Sequence, residues 1–147
     1  MRQLKFWLPL LIGAGCVSPI MAQPQPASAQ PQTVWNGVYS EAQAFRGEKV
    51  AETTCLGCHG AGLAGGDSGP KLVGDKFLSD WNAASVGDLF GLILEKMPHD
   101  APGTLKKEDV ASVTAYILQL NNMPSGRQEL AAESDTLAQI TILAARP

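Results

Sequence analysis

The chain has 147 residues, of which 45% are apolar and 17% charged. That is the size of one small domain and the composition of a folded protein, which excludes a disordered chain. The formal charge is −3 at neutral pH. An acidic chain repels a phosphate backbone, so nucleic acid is excluded as an expected partner.

Arg2 and Lys5 make a positive start, Phe6 to Ile20 is mostly apolar, and Ala22 closes the stretch before a polar run. This pattern predicts a secretory signal peptide over residues 1–22 and hence export. Pro9 and the glycines interrupt the apolar run. It is short against the roughly 20 residues a membrane span needs, and no stable membrane insertion is expected. The alternatives are an uncleaved N-terminal anchor and a lipid-modified Cys16, although Gly13 stands where such sites prefer a larger aliphatic residue. Cleavage would remove Arg2, Lys5 and Cys16, leaving 9 basic against 14 acidic side chains and a net charge of −5. Such a surface suits a partner with a basic docking patch.

Residues 23–34 read as a Pro/Gln-rich linker, since prolines 24, 26 and 31 oppose helix and there is little apolar area to bury. The folded part is expected over 35–125. Ser40 with Gln43 has the pattern of a capping box, and Ala44, Gly47, Val50, Ala51 and Cys55 recur at helical spacing. A helix is therefore predicted from Glu41 to Thr54. Gly60 to Gly74 is a glycine-rich loop, long enough to need something to wrap around.

Ser85, answered by Asp88, opens a second helix whose stripe is Val86, Leu89, Phe90, Ile93, Leu94 and Met97. Pro98 ends it near Lys96 or Met97. Ala101-Pro102-Gly103 is a turn, Thr104 a plausible cap, and a third helix is predicted from Lys106 to Leu120. Residues 126–147 form a tail whose Leu137, Ile140 and Ile142 could pack back on the domain. No stretch shows convincing period-two alternation. The expectation is an all-α fold of about three main helices joined by glycine-rich loops. So small a helical core calls for a staple such as a metal or crosslink.

The chemistry lies in Cys55-Leu56-Gly57-Cys58-His59. Cys-x-x-Cys-His is the attachment signature of c-type haem. Two thiols separated by a two-residue spacer can add across the two vinyl groups of one porphyrin, and the adjacent imidazole can bind the iron. A redox dithiol would want a strand-to-helix setting that is missing here. A structural disulfide across so short a loop would be strained and would leave His59 without a role. A zinc site lacks ligands, since only His99 remains to help. One covalent haem, attached through Cys55 and Cys58 and ligated by His59, would serve as both staple and core.

An electron-carrying haem usually takes a second axial ligand, and Met97, Met123 and His99 are the candidates. Met97 is favoured, because it stands at a helix exit before Pro98, where a loop can lay its thioether over the haem face. Plain core packing is the alternative for either methionine. Pro70 lies in the wrapping loop 11 residues after His59. A carbonyl of this turn could accept the proton of the far ring nitrogen of His59 and orient the imidazole. An ordinary Gly-Pro turn is the alternative.

With these residues in view, the chain resembles the class I c-type cytochromes. The resemblance implies that Gly47, eight residues before Cys55, lets the first helix cross the last closely, with Tyr116 as the partner aromatic. Gly69-Pro70-Lys71-Leu72-Val73-Gly74 matches the family's Gly-Pro-x-Leu-x-Gly, and Met97 the sixth ligand. The family often has an aromatic where Ala51 stands here. A narrower resemblance rests on residues 34–39, Phe77 to Trp81, Met97-Pro98 with 101–105, and Met123-Pro124-Ser125-Gly126. These are similar to the small periplasmic cytochromes of bacterial dehydrogenase chains, including those that serve quinoprotein (PQQ-type) alcohol dehydrogenases. The resemblance implies a periplasmic mono-haem carrier, not an enzyme, taking electrons from a dehydrogenase and passing them to an oxidase or another cytochrome. It also implies that Trp81 lies near the haem propionates, while Trp35, Phe45 and Phe90 read as core or surface anchors. A fixed subunit of a larger dehydrogenase is the second reading. A haem enzyme or sensor with a labile sixth ligand is the third.

Overall fold

The structure, a computed structural model, describes residues 32–147. The expected signal peptide, Cys16 and the linker up to residue 31 lie outside the described residues. Six α-helices follow in chain order: α1 Glu41–Thr54, α2 Leu56–His59, α3 Gly74–Trp81, α4 Val86–Lys96, α5 Lys107–Leu120 and α6 Ser134–Leu137. The all-α reading holds.

Helix α1 starts where Ser40 Oγ accepts from the Gln43 amide at 3.1 Å. Gln43 does not complete a capping box. Its buried amide group instead pairs with the backbone of Leu130, donating from Nε2 to the carbonyl (3.0 Å) and accepting from the N–H (2.8 Å). Helix α4 has the reciprocal box, with Ser85 Oγ accepting from the Asp88 amide and Asp88 accepting from the Ser85 amide. The Asp88 carboxyl is held below its ordinary range mainly by the Ser85 side chain. Thr104 does not cap α5: its hydroxyl donates to the Ala101 carbonyl at 2.8 Å, and Lys106 is the residue that precedes the helix. Helix α3 was not expected. Its apolar face is Phe77, Leu78 and Trp81, with the Phe77 and Trp81 rings 6.1 Å apart, too short a pattern to stand out.

The most extensive contact between elements is α1 against α5. Gly47 makes it possible, because a Cβ there would sit 1.9 Å from the Ser112 carbonyl oxygen. Ala51, which stands where the resembled family often has an aromatic, is fully buried in the same core as Tyr116. The core continues through Phe77, Leu89, Phe90, Ile117 and Leu118, while Phe45 is exposed.

Two further departures concern the ends. The linker was expected to run to residue 34, yet Val34 is fully buried, and Gln32–Thr33 form strand β1. This pairs in parallel with strand β2, Ile140–Thr141. Two residues per strand carry no readable alternation. Leu130, Leu137, Ile140 and Ile142 are all buried, and the Trp35 indole donates to the Leu143 carbonyl at 3.0 Å. Val34 near the start of the described residues and Leu137, Ile140 and Ile142 of the tail therefore pack into the core of one domain. Among the described residues no helix is long and apolar enough to cross a membrane.

Candidate cofactor site

Helix α1 leads directly into α2, so Cys55, Cys58 and His59 are presented on one continuous helical turn. Cys55 is half-buried, Cys58 exposed and His59 buried. Both thiols are free. Burial pushes the Cys55 thiol above its ordinary range, and a long contact with Thr54 Oγ1 (3.8 Å) opposes this only in part.

The loop after His59 folds back on it. His59 Nδ1 lies 2.8 Å from the Pro70 carbonyl oxygen. A carbonyl can only accept, so Nδ1 carries the proton and Nε2 is left with its lone pair free. The tautomer is therefore set by the backbone of the glycine loop. Gly69 allows the approach: a Cβ there would stand 2.9 Å from both His59 Nδ1 and the Cys58 carbonyl oxygen. Asn121 anchors the far end of the same loop, donating to the Leu72 carbonyl (3.0 Å) and accepting from the Gly74 amide (2.9 Å).

These elements enclose a cavity of about 320 Å³. Cys55, Cys58, His59, Pro70 and Met97 all line it, as do the apolar side chains of Leu72, Ile93, Leu105, Val113 and Ile117. Met97 ends α4 as its C-cap, before a cis Met97–Pro98 bond. His99 also lines the cavity and is exposed. Met123 does not. It is buried in the core, and its carbonyl accepts from the Tyr39 hydroxyl at 2.6 Å. Trp81 is not part of the wall either; it packs against Phe77.

The donor set fits a covalently held haem. Two thiols and a nitrogen with its lone pair free line a cavity whose other lining is largely aliphatic, and the Met97 thioether adds a soft donor to the same lining. Sequence reasoning missed Gly69 as the cradle of His59 and Asn121 as the loop anchor. Asn121 carried a weak signal, since a polar residue ending a strongly apolar helix has to find partners if buried.

The helical wrap around this cavity is that of a class I c-type cytochrome, a haem protein of electron transfer. The family model described as "Cytochrome C oxidase, cbb3-type, subunit III" matches residues 42–117, and the chain belongs to that family. Among solved structures, the "Crystal Structure of the Sulfane Dehydrogenase SoxCD from Paracoccus pantotrophus" is similar in fold, with a TM-score of 0.52 and 19% identity over 82% of this chain and 68% of that one. No curated protein matches the chain significantly.

Proposed function

We propose that the protein is an exported, periplasmic mono-haem carrier that holds its haem covalently through Cys55 and Cys58, with His59 and Met97 as axial ligands. The observation that carries this reading is the 2.8 Å contact between His59 Nδ1 and the Pro70 carbonyl, which frees Nε2 for iron and strengthens it as a donor. A bound haem supplies the one-electron ferric/ferrous couple. The chain's own residues do the rest. Pro70 and Gly69 hold the imidazole in one tautomer and one orientation. Ile93, Leu105, Val113 and Ile117 exclude water, which favours the ferrous form, because the ferric form carries the extra positive charge. A histidine and methionine pair on the iron, as His59 and Met97 would supply, would raise the potential further. Gly57 and Cys58 are exposed at the lip, which leaves an edge through which electrons can pass.

The donor in this reading is a dehydrogenase, of the quinoprotein kind by resemblance, and the acceptor an oxidase or another cytochrome. The complex is transient, small and salt-sensitive. A fixed subunit of a dehydrogenase is the second reading. It is supported by β1 and β2 lying side by side, which brings the start of the described residues next to the C-terminal tail as one candidate docking element. A redox titration followed by absorbance is the test of the carrier role. One reversible one-electron wave is expected, with a red sulfur-to-iron band in the oxidised protein and slow binding of carbon monoxide to the reduced one. Rapid carbon monoxide binding would instead indicate an enzyme or sensor. Size exclusion of the native preparation at moderate salt separates the two remaining readings: a free carrier elutes alone.

A further inference from the structure

Besides His59, the cavity is lined by two side chains able to bind iron, Met97 and His99, which stand two positions apart in the chain. Met97 is half-buried, as the last position of the α4 exit. His99 is exposed at the lip of the same cavity. The two histidines differ in how they are held. His59 is buried and fixed by the Pro70 carbonyl. The described hydrogen bonds of the loop after α4 run from the Met97 amide to Ile93, from the Ala101 amide to Pro98 and from the Thr104 hydroxyl to Ala101, and none uses the His99 ring. The loop spans residues 97–106 between α4 and α5 and includes Gly103 in the left-handed region. An imidazole on such a tether meets no competing partner that it must first give up.

We propose that His99 is a reserve axial donor, which takes the iron when the Met97 thioether is lost. This rests on the reading of Met97 as the sixth ligand. The consequence is a carrier that stays six-coordinate. Loss of the thioether changes the ligand pair from His/Met to His/His, which lowers the potential, yet it does not open a coordination position to peroxide or another small ligand. The arrangement disfavours haem-enzyme chemistry on this chain even when Met97 is absent.

Four full-length, haem-loaded proteins test this: wild type, His99→Ala, Met97→Ala and the double variant Met97→Ala/His99→Ala. Each is read in the oxidised state by absorption and electron paramagnetic resonance, and then titrated with imidazole. Wild type and His99→Ala are expected to share the red sulfur-to-iron band. Met97→Ala is expected to lose the band but stay low-spin. The double variant is expected to be high-spin and to bind imidazole at least about tenfold more tightly than Met97→Ala, because a site occupied nine-tenths of the time weakens apparent affinity by that factor. If Met97→Ala and the double variant are equally high-spin with equal imidazole affinity, His99 is no reserve donor. If the wild-type spectrum lacks the red band and changes on His99→Ala, the assignment of Met97 itself has failed, a separate outcome. Met97→Leu keeps the bulk at the lip and gives the same comparison where the alanine variant does not fold.

Discussion

Replacing Gly47 by alanine adds a single methyl group where there is no room for one. Its Cβ would lie 1.9 Å from the Ser112 carbonyl oxygen and 2.4 Å from the Ser112 carbonyl carbon. Ordinary contact begins near 3.4 Å, so α1 and α5 must part by about 1.5 Å. Both colliding atoms are backbone, and no rotamer change relieves them. Overpacking a core typically costs about 1–3 kcal/mol, and a clash against fixed backbone belongs at about 3 kcal/mol or more. Alanine regains about 1 kcal/mol of helix propensity. The net loss is then about 2 kcal/mol or more, or roughly 8 °C in melting temperature for a domain of this size. Gly91 is the control. It lies within α4 with nothing within 4 Å of a Cβ, so Gly91→Ala should stabilise by about 0.5–1 kcal/mol. Thermal melts of the haem-loaded proteins by circular dichroism read both changes. Melting of Gly47→Ala at or above the wild-type temperature would refute the close crossing.

Three other changes have defined outcomes. Met123→Ala should retain the red sulfur-to-iron band and lose about 2–5 kcal/mol of stability by denaturant titration, because it empties core volume; loss of the band with little loss of stability would reverse the roles of Met97 and Met123. Gln43→Ala strands a buried N–H and a buried carbonyl of Leu130, at about 1–3 kcal/mol for each group. Faster proteolysis within residues 126–147 should accompany it, and unchanged cleavage would deny that this side chain holds the tail. Ser85→Ala removes the cap of α4 and should cost about 1 kcal/mol at neutral pH. Because the Asp88 carboxyl titrates below its ordinary range when folded, its contribution is fully present above that range and is lost as pH falls through the lowered value. The gap between wild type and variant should therefore narrow in acid, as measured by denaturant titration across pH.

The parts of the fold legible in the sequence are those with punctuation. Helix α1 runs over Glu41–Thr54 as its spacing predicts, and Pro98 closes α4 at Lys96. The Cys-x-x-Cys-His run announces its chemistry locally, because thiol spacing and an adjacent imidazole are properties of five consecutive residues. What stayed hidden depends on partners far along the chain. Gln43 reads as a capping residue until Leu130 arrives beside it, 87 residues later. Val34 reads as linker until Ile140–Thr141 return to pair with Gln32–Thr33. Trp81 and Met123 each look plausible as cofactor neighbours in sequence. The fold turns one toward Phe77 and buries the other under Tyr39. The glycine loop is an intermediate case. Its composition says that it is irregular and must wrap something, but only the folded backbone puts the Pro70 carbonyl on His59.

The most direct test of the whole account is the intact mass of the exported protein under denaturing conditions, after maturation in a host that attaches c-type haem. The account predicts a mature chain heavier by one haem, with neither Cys55 nor Cys58 open to thiol alkylation. A colourless chain of unmodified mass, with those two thiols free or joined to each other, would contradict it.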